Sequence, residues 1–562
     1  MSNSRLIVLK FGGSVLPDEG ALQTAVHEIY RWRREGWRVV AVVSALSGRT
    51  DDLVSACDRV AARPSAAACA PLIASGEAEC AAMLGLYLDR VGLPASVLTP
   101  SAARLIAGGT PLDSSPESVD IPALESALET DGVVVLPGFT AIDSRGRTVT
   151  LGRGGSDTTA LFLAHALRAE RCRLIKDVDG LYTADPAHDR YARRYGSCSY
   201  EDALRTDGSI IQHKAIELAR THGVEFEIGR LNGVSPTVVG VGPSRLNELP
   251  DHPEPLRIGI AGAGTVGGGL LDHLSRLPES FRITGVACRS EARRDSLERR
   301  GLRVVERPHD CAAGSDLLVE LIGGTDAAYE LVASSLQAGR DVVTANKALL
   351  AEHGRELQSI ADKHGARLLK SASVGGGLPV LERAVAAPAS VVRGVLNGTA
   401  NFVLSALHDS KPFAEAVDSA QRAGLAEADP SRDLDGRDCI DKLRVIAQAL
   451  GFDEPRCSSP RIVFPETLGE GRCLRQIGTL RESECAVELE ELVPPDPLFD
   501  VAGEENSVII ECADGTTEEI RGRGAGRWPT AESVLADLLE LSRDRSRNAQ
   551  LAADAQGYAH AR

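Results

Sequence analysis

The first residues that could do chemistry form a phosphate-type turn near the amino terminus. In LKFGGSVL, a predicted strand brings Lys10 to a break at Gly12 and Gly13, where bare backbone amides can approach an anion closely. The lysine would supply a point charge to a phosphoryl group. A strand that simply ends in a glycine turn explains this segment equally well, so it needs support from elsewhere in the chain.

A second glycine pattern, in the middle of the chain, predicts a dinucleotide site. The apolar run 256–261 leads into Gly262-x-Gly264-x-x-Gly267, and a helical pattern follows. Such glycines allow a tight turn, close approach of the backbone to a pyrophosphate, and close packing of helix on strand. Arg289 ends the next predicted strand, where an arginine suits the 2′-phosphate of NADP and an acidic residue suits NAD.

A third pattern combines carboxylates with a lysine. The segment GLAEADPSRDLDGRDCIDKL, residues 424–443, runs from a predicted loop into a helix. Asp438 and Lys442 are four residues apart and therefore share one helix face. On spacing alone, an ordinary exposed ion pair is the better explanation.

Two further segments place polar residues at a helix start and in a turn. TLGRGGSDTTA, residues 150–160, has Arg153 beside a helix that begins near Ser156, and a free helix amino terminus attracts phosphate or carboxylate. KDVDGLYTADP, residues 176–186, is a strand end followed by two turn signals. Each alone could be an ordinary capped helix or loop.

The elements that would position these residues follow an α/β rhythm in both halves of the chain. Short apolar runs typical of parallel strands alternate with helical patterns such as 20–35 and 66–91. The predicted strands are 6–9, 39–43 and 133–136 in the first half, and 256–261, 283–287, 317–321 and 342–344 in the second.

Composition narrows the functional classes. The 562 residues exceed one hydrophobic core and predict several domains. A formal charge of −17 argues against nucleic acid or an anionic membrane as a partner, because both need clustered Lys and Arg. Without a signal-peptide core or a run of about 18 apolar residues, we expect a cytoplasmic protein. The 12 cysteines have no metal-ligand spacing and are expected to be reduced and buried.

In this order, the phosphate-type segments resemble the aspartokinase branch of the amino-acid kinase family. LKFGGSVL, GRGGSDTTA and DVDGLYTADP carry the resemblance over residues 4–240, with support from VVSALSGRTDDLV and ASGEAECAAML. It implies an α/β sandwich that transfers the γ-phosphoryl group of ATP, with Mg²⁺, to the side-chain carboxylate of L-aspartate.

By motif position, this resemblance assigns three groups of residues. Lys10 would stabilise the transferring phosphoryl group with the amides of Gly12 and Gly13, and Asp157 would organise the centre. Glu77 would bind the substrate ammonium and Arg153 a carboxylate. The whole amino-acid pocket would comprise Ser44, Thr50, Glu77, Arg153 and Ser156, and the nucleotide side Asp177, Asp179, Tyr182 and Asp185.

Two positions depart from that family's pattern, and both concern ATP phosphates. Ala187 follows the proline of the ADP turn, where the family usually has Arg, and Ile210 stands where it typically has Lys. Either Arg190 or Lys214 would have to substitute for these cations.

The segments after residue 255 resemble homoserine dehydrogenases in sequence order. VELIGG, DVVTANKALLA, SVGGGLPVL, GVLNGTANFVL, the 424–443 segment and GRGAGRWPTAESVLADLL carry the resemblance over residues 256–540. It implies a Rossmann domain joined to an α+β catalytic domain. The implied reaction reduces L-aspartate 4-semialdehyde to L-homoserine with NADP(H), or alternatively NAD(H).

This second resemblance also assigns roles. Lys442 would protonate the developing alkoxide, and Asp438 would orient it. Substrate would also contact Glu427, Asp433 and Lys347. The cofactor would be held by Gly262, Gly264, Thr265, Val266, Gly267, Arg289, Asn346 and Lys347.

A sodium ion is a further expectation from the same resemblance. The backbone oxygens of Val374, Gly376 and Leu378 would bind Na⁺, although Ser371 replaces the glutamate that such proteins often carry nearby.

These assignments give a domain map. We expect a kinase domain at 1–240, a linker at 241–255, a Rossmann domain at 256–375 completed by 522–562, and a substrate and dimerisation domain at 376–521. Fusions of this kind usually carry ACT regulatory domains between the two parts, and the linker is too short for one. We therefore expect no threonine or lysine feedback through ACT domains. We also expect a homodimer or homotetramer.

The main functional prediction is a bifunctional enzyme of threonine, methionine and lysine biosynthesis. The alternative is a homoserine dehydrogenase whose kinase-like half is weak or inactive and serves dimerisation or ligand binding. Ala187 and Ile210 favour that alternative.

Overall fold

A computed structural model describes residues 5–247, 254–387, 389–458, 462–468 and 472–560. The chain divides into two units: unit 1 holds residues 1–89, 94–253 and 539–562, and unit 2 holds 90–93 and 254–538. The predicted linker 241–255 lies partly outside the described residues.

Unit 1 contains a nine-stranded sheet and a four-stranded sheet. Its strands are β1 Leu6–Phe11, β2 Arg38–Val43, β3 Ser96–Val97, β4 Ile106–Thr110, β5 Asp113–Ser118, β6 Val133–Pro137, β7 Thr140–Ile142, β8 Thr148–Thr150, β9 Arg171–Ile175, β10 Arg194–Ser199, β11 Phe226–Gly229, β12 Thr237–Gly240 and β13 Arg245–Asn247. The large sheet has the order β13-β10-β12-β11-β9-β1-β2-β6-β3, and the small sheet has β5-β4-β7-β8.

The helices of this part of the chain are α1 Leu22–Arg34, α2 Arg49–Val60, α3 Ala66–Arg90, α4 Ile121–Asp131, α5 Gly155–Ala166, α6 Tyr200–Leu204 and α7 His213–His222. Among the described residues, α3 alone is long and apolar enough to cross a membrane by length and composition. Half of its most apolar window is buried, and Leu84 and Leu88 are fully inaccessible, as in the core helix of a globular unit.

The centre of the large sheet explains how distant residues meet. β1 and β2 are nearly continuous apolar runs, and β1 pairs in parallel with both β2 and β9. In this register, Lys10 stands opposite Val42 of β2 and Leu174 of β9. The carboxyl ends of these strands therefore share one sheet edge, where ligands of α/β folds usually bind.

Unit 2 contains two six-stranded sheets. The first is parallel, with strands β14 Leu256–Ala261, β15 Phe281–Ala287, β16 Val304–Val305, β17 Leu317–Glu320, β18 Asp341–Thr344 and β19 Leu368–Leu369 in the order β16-β15-β14-β17-β18-β19. The second has strands β20 Ala389–Val395, β21 Arg456–Cys457, β22 Cys473–Arg481, β23 Glu484–Leu492, β24 Glu505–Cys512 and β25 Thr517–Arg523 in the order β21-β23-β22-β20-β24-β25.

The helices of the second half are α8 Thr265–Leu274, α9 Glu291–Arg299, α10 Pro308–Cys311, α11 Asp326–Gln337, α12 Lys347–His364, α13 Val380–Ala386, α14 Gly398–His408, α15 Phe413–Arg422, α16 Ser431–Leu434, α17 Arg437–Ala449 and α18 Arg527–His560. The predicted fold class, an α/β kinase-type unit followed by a Rossmann sheet and an α+β catalytic part, is confirmed.

Two features differ from the sequence expectations. Cys457 and Cys485 form a disulfide that joins β21 to β23, so the expectation of reduced cysteines was wrong for this pair. Helix α18 is divided between the two units, and in unit 2 Asp537 accepts hydrogen bonds from the backbone and hydroxyl of Ser371. Residues 539–562, however, group with unit 1 rather than with the Rossmann sheet.

The turn between β14 and α8 depends on glycine at two positions. Gly262 has φ +111°, and a Cβ there would lie 2.5 Å from the carbonyl oxygen of Leu321. A Cβ on Gly267 would overlap the carbonyl oxygen of Gly262, whereas one on Gly268 would meet only the end of the Arg527 side chain at 3.8 Å. The turn and the first helical turn thus pack backbone against backbone.

We expect Gly267→Ala to destabilise the protein by about 1–3 kcal/mol, since both overlapping groups are backbone and cannot move aside cheaply. Gly268→Ala is the matched control on the same helix and should be neutral or stabilising by about 0.5–1 kcal/mol. Calorimetric melting of the full chain measures both. Equal effects of the two substitutions would contradict the close packing described for Gly267.

Candidate active sites

A cavity of about 620 Å³ opens at the carboxyl edge of the central strands of unit 1. Its walls come from the ends of β1 and β2, from α2 and α3, and from the segment that leads into α5. It contains the predicted substrate and phosphoryl residues Lys10, Gly13, Ser44, Thr50, Glu77, Arg153, Ser156 and Asp157.

The ion cluster beside this cavity consists of one carboxylate and two lysines. Asp157 Oδ1 lies 2.8 Å from Lys10 Nζ, and Asp157 Oδ2 lies 2.8 Å from Lys176 Nζ. All three side chains are buried. Sequence reasoning missed Lys176, although it is the first residue of the quoted KDVDGLYTADP segment and follows directly after β9.

Burial and mutual charge set the protonation of this cluster. Burial lowers the pKa of the Lys10 ammonium to about 8, with Asp157 opposing the shift and Lys176 reinforcing it. Burial alone would raise the pKa of the Asp157 carboxyl, but the two lysines outweigh it and hold that pKa at about 2. Asp157 is therefore ionised at neutral pH.

Glu77 is the second buried carboxylate of the cavity. It lies on α3, and burial raises its pKa to about 7, against the hydrogen bonds of backbone amides at Glu77 and Ala45. Its Oε2 atom is buried without a hydrogen-bond partner among the described residues. A buried carboxylate oxygen aimed at a cavity is a natural partner for a substrate ammonium.

The predicted nucleotide-side residues lie outside the lining of this cavity. Asp179 is buried and accepts from the hydroxyl of Tyr182 at 2.9 Å, while Arg194 Nε lies 3.5 Å from its other oxygen. Asp177 and Asp185 are exposed, and Asp185 accepts from the backbone amide of Ala187. Asp179 and Tyr182 thus contact each other, whereas the two exposed aspartates stand apart from them.

The two cations considered as substitutes have other partners. Lys214 Nζ donates to Asp113 Oδ1 at 2.6 Å and to the carbonyls of Ser114 and Leu151. Arg190 is exposed and donates to the hydroxyl of its neighbour Tyr191.

In unit 2, a cavity of about 220 Å³ lies beside the glycine turn. Gly262, Gly264 and Arg289, three of the residues predicted to bind the cofactor, line it, and Thr265, Val266 and Gly267 form the first turn of α8. Arg293, which the sequence did not single out, also lines this cavity and donates to the carbonyl of Ala263. Arg289, two residues after β15, and Arg293, on α9, form a positive wall of this cavity, which Glu306 also lines.

A second carboxylate lies between two lysines in unit 2. Asp438 Oδ1 lies 2.5 Å from Lys347 Nζ, and Asp438 Oδ2 lies 2.8 Å from Lys442 Nζ. Burial alone would raise the pKa of Asp438, but Lys442 and Lys347 outweigh it and hold that pKa well below its usual range. The pair Asp438 and Lys442 is buried, which excludes the exposed ion pair that spacing alone favoured.

Asn397 connects this cluster to a neighbouring acid. Its Nδ2 donates to Asp433 Oδ1 and to Asp438 Oδ2, both at 2.8 Å. Burial raises the pKa of Asp433, opposed by the Asn397 hydrogen bond and reinforced by the charge of Asp438. Lys442 also donates to the carbonyl of Leu396, which fixes its ammonium beside the start of α14.

Comparison with known proteins matches the two halves of the chain to two families. Residues 5–229 match the amino acid kinase family, 262–370 the NAD-binding domain of homoserine dehydrogenase, and 381–539 homoserine dehydrogenase. A homoserine dehydrogenase from Pseudomonas aeruginosa is 34% identical over 332 residues, which are 52% of this chain and 73% of that protein. The chain belongs to the homoserine dehydrogenase family.

The amino-terminal half adds a kinase domain to this homoserine dehydrogenase. An aspartokinase from P. aeruginosa is 32% identical over 226 residues, 40% of this chain and 55% of that protein. The chain therefore spans about half the length of the aspartokinase that it matches. A crystal structure of a homoserine dehydrogenase from Thiobacillus denitrificans has a TM-score of 0.49 at 31% identity, and covers 52% of this chain and 74% of that one. The predicted fusion of an aspartokinase-type and a homoserine dehydrogenase part is confirmed.

The VELIGG motif of the homoserine dehydrogenase part contains a buried carboxylate, Glu320, that the sequence analysis had not given a role. Glu320 accepts from the hydroxyl of Thr344 at 2.6 Å and from the backbone amides of Ile322 and Gly323. Asn346 caps α12 by accepting from Leu349 and donates to the carbonyl of Gly324. The predicted Asn346 and Lys347 therefore begin a helix that these contacts hold at the sheet edge.

The other predicted residues of the homoserine dehydrogenase part make contacts away from the Asp438 cluster. Glu427 is exposed, and its carbonyl accepts from Gln421. In the Val374, Gly376 and Leu378 loop, the Leu378 carbonyl already accepts from the amide of Val380. Sodium at this loop stays a prediction.

Proposed function

We propose that the chain is bifunctional: it phosphorylates L-aspartate with ATP and reduces L-aspartate 4-semialdehyde to L-homoserine with NADP(H). The observation that carries this proposal is a pair of lysine–aspartate–lysine clusters, each built on a buried aspartate. The first cluster lies beside the 620 Å³ cavity, and the second lies at the amino-terminal ends of α12 and α17. The product of the first reaction would reach the second through a separate reducing enzyme. Small polar substrates of this kind fit a cytoplasmic homo-oligomer.

For the kinase, Arg153 and Glu77 would hold aspartate in the 620 Å³ cavity, with Glu77 on the ammonium. The substrate β-carboxylate oxygen would attack the γ-phosphorus, and the bond to the β–γ bridging oxygen would break to release ADP. Lys10 would stabilise the charge on the transferring group. Mg²⁺, brought with ATP, would neutralise the phosphate oxygens.

For the dehydrogenase, bound NADP(H) would supply the hydride to the aldehyde carbon. The glycine turn fits such a cofactor because its backbone leaves no room for side chains at Gly262 and Gly267. Lys442 would donate a proton to the aldehyde oxygen, while Asp438 and the Leu396 carbonyl hold its ammonium in place and Asn397 positions Asp438. Lys347 would keep a second positive charge beside that oxygen.

Two substitutions assign the two activities. Lys10→Met should reduce aspartate-dependent ADP formation at least about 10²-fold and leave NADPH oxidation by aspartate semialdehyde unchanged. Lys442→Met should do the reverse. Both assays are run on each purified full chain, so each activity serves as the folding control for the other.

The alternative, a homoserine dehydrogenase with an inactive kinase-like half, is supported by Ala187, Ile210 and the other partners of Lys214. Absence of aspartate-dependent ADP formation in the unmodified protein would favour it over the bifunctional proposal.

Glu77 should make the kinase activity decrease as the pH falls below 7. Because the pKa of Glu77 is raised to about 7, its carboxyl is neutral below that pH and attracts the substrate ammonium less. We expect kcat/KM for aspartate to fall up to about tenfold per unit as pH decreases below 7, since this ratio reports the free enzyme. Aspartate itself does not titrate there, because its side-chain pKa is about 3.9.

Glu77→Gln should remove this acid limb and lower kcat/KM at pH 8. The control Glu79→Gln, at an exposed position two residues away that pairs with Arg49, should leave the profile unchanged. An acid limb that survives in Glu77→Gln would assign it to another group.

The positive wall of the smaller cavity supports NADP(H) over NAD(H). Arg289→Ala should weaken NADPH binding roughly 10–100-fold, the value of a charge-assisted hydrogen bond to the 2′-phosphate, with little effect on NADH. Arg282→Ala is the control, because this exposed residue lies near the start of β15, the strand that precedes Arg289. Equal weakening of NADPH and NADH binding by Arg289→Ala would show that Arg289 does not contact the 2′-phosphate.

A further inference from the structure

The kinase centre holds more positive than negative charge. Lys10 and Lys176 share the single carboxylate of Asp157, at 2.8 Å each, and Lys176 also lies 3.1 Å from Asp157 Oδ1. All three residues are at most 9% exposed. Two ammonium groups and one carboxylate leave one positive charge uncompensated in a poorly solvated place, which is costly until an anion arrives.

The fold places this excess charge where a phosphoryl group would pass. Lys10 lies on β1 opposite Leu174 of β9, and Lys176 follows two residues later at the same sheet edge. Asp157, in the first turn of α5, holds the two ammonium groups together. Lys10 and Asp157 line the substrate cavity, whereas Lys176 contacts Asp157 from outside that lining. Lys176 thus stands on the side of Asp157 that the aspartate pocket does not use.

The other two candidates for a second cation have contacts away from the Asp157 cluster. Lys214 has three hydrogen-bond acceptors around its ammonium, among them Asp113, and Arg190 is an exposed residue on the ADP turn. Lys176 is held by the same carboxylate as Lys10, and it is the cation that lies beside the phosphoryl-binding lysine.

We propose that Lys176 is the second phosphoryl-binding cation of this chain and compensates for the cations absent at Ala187 and Ile210. This proposal rests on the proposed kinase function. As the aspartate oxygen bonds to the γ-phosphorus and the bond to ADP breaks, Lys10 and Lys176 together stabilise the charge on the non-bridging oxygens. Neither lysine gives up a proton, and Asp157 keeps both ammonium groups in position.

Lys176→Met is the central test, in comparison with Lys176→Arg. We expect Lys176→Met to raise the KM for ATP and lower kcat, at least about tenfold each, with the KM for aspartate within about twofold. Lys176→Arg, which keeps the charge, should recover part of both. Homoserine dehydrogenase activity of the same preparations verifies that the chain is folded, and Arg190→Ala is the control for an exposed cation.

A purely structural role is separated by comparing nucleotides. If Lys176 contacts the γ-phosphoryl group, Lys176→Met weakens binding of a non-hydrolysable ATP analogue and leaves ADP binding within about twofold. Equal weakening of the two nucleotides, an equal rise in the KM for aspartate, or no effect on either nucleotide overturns the proposal. The binding comparison decides the matter even if the unmodified protein forms no ADP with aspartate, a result that would refute the proposed kinase function instead.

Discussion

A buried carboxylate between two lysine ammonium groups is the interaction on which each unit depends. Asp157 serves Lys10 and Lys176 in unit 1, and Asp438 serves Lys347 and Lys442 in unit 2. Removing such ions from water costs on the order of several kcal/mol each, so the cluster is tolerable only with close, fixed geometry. In return, one negative charge allows two cations to lie close together, ready for an oxygen that gains charge during reaction.

Both carboxylates are fixed by the same local structure. Asp157 lies in the first turn of α5 after Gly154 at φ +73°, and Asp438 lies in the first turn of α17 after Gly436 at φ +84°. A left-handed glycine lets the chain turn sharply into the helix, and the positive end of the helix dipole favours an ionised carboxylate. The lysines then arrive from other elements: strand ends in unit 1, and α12 and the body of α17 in unit 2.

How far the sequence predicts these sites depends on how local each signal is. Lys10, Asp157, Asp438 and Lys442 lie in motifs with characteristic neighbours, and the structure brings each to a cluster as expected. Lys176 escaped notice because its role comes from the pairing of β9 with β1, which no local pattern records. For Asp438 and Lys442, spacing alone favours a solvent-exposed ion pair, and only the packing of the folded chain shows that the pair is buried. The Cys457–Cys485 disulfide likewise joins strands whose neighbours are set by the sheet order.

Helix α18 has a consequence for dissection of the gene. Its residues to Leu538 belong to the dehydrogenase unit, and those from Leu539 belong to the kinase unit, where Glu540 pairs with Arg34. Arg543 is buried there near Glu28 and Arg31, and burial with the charge of Arg31 lowers its pKa to about 9. Cleaving the chain in the predicted linker 241–255 would therefore separate residues 539–562 from the rest of unit 1, in which they pack. The two units are interleaved along the chain rather than joined end to end.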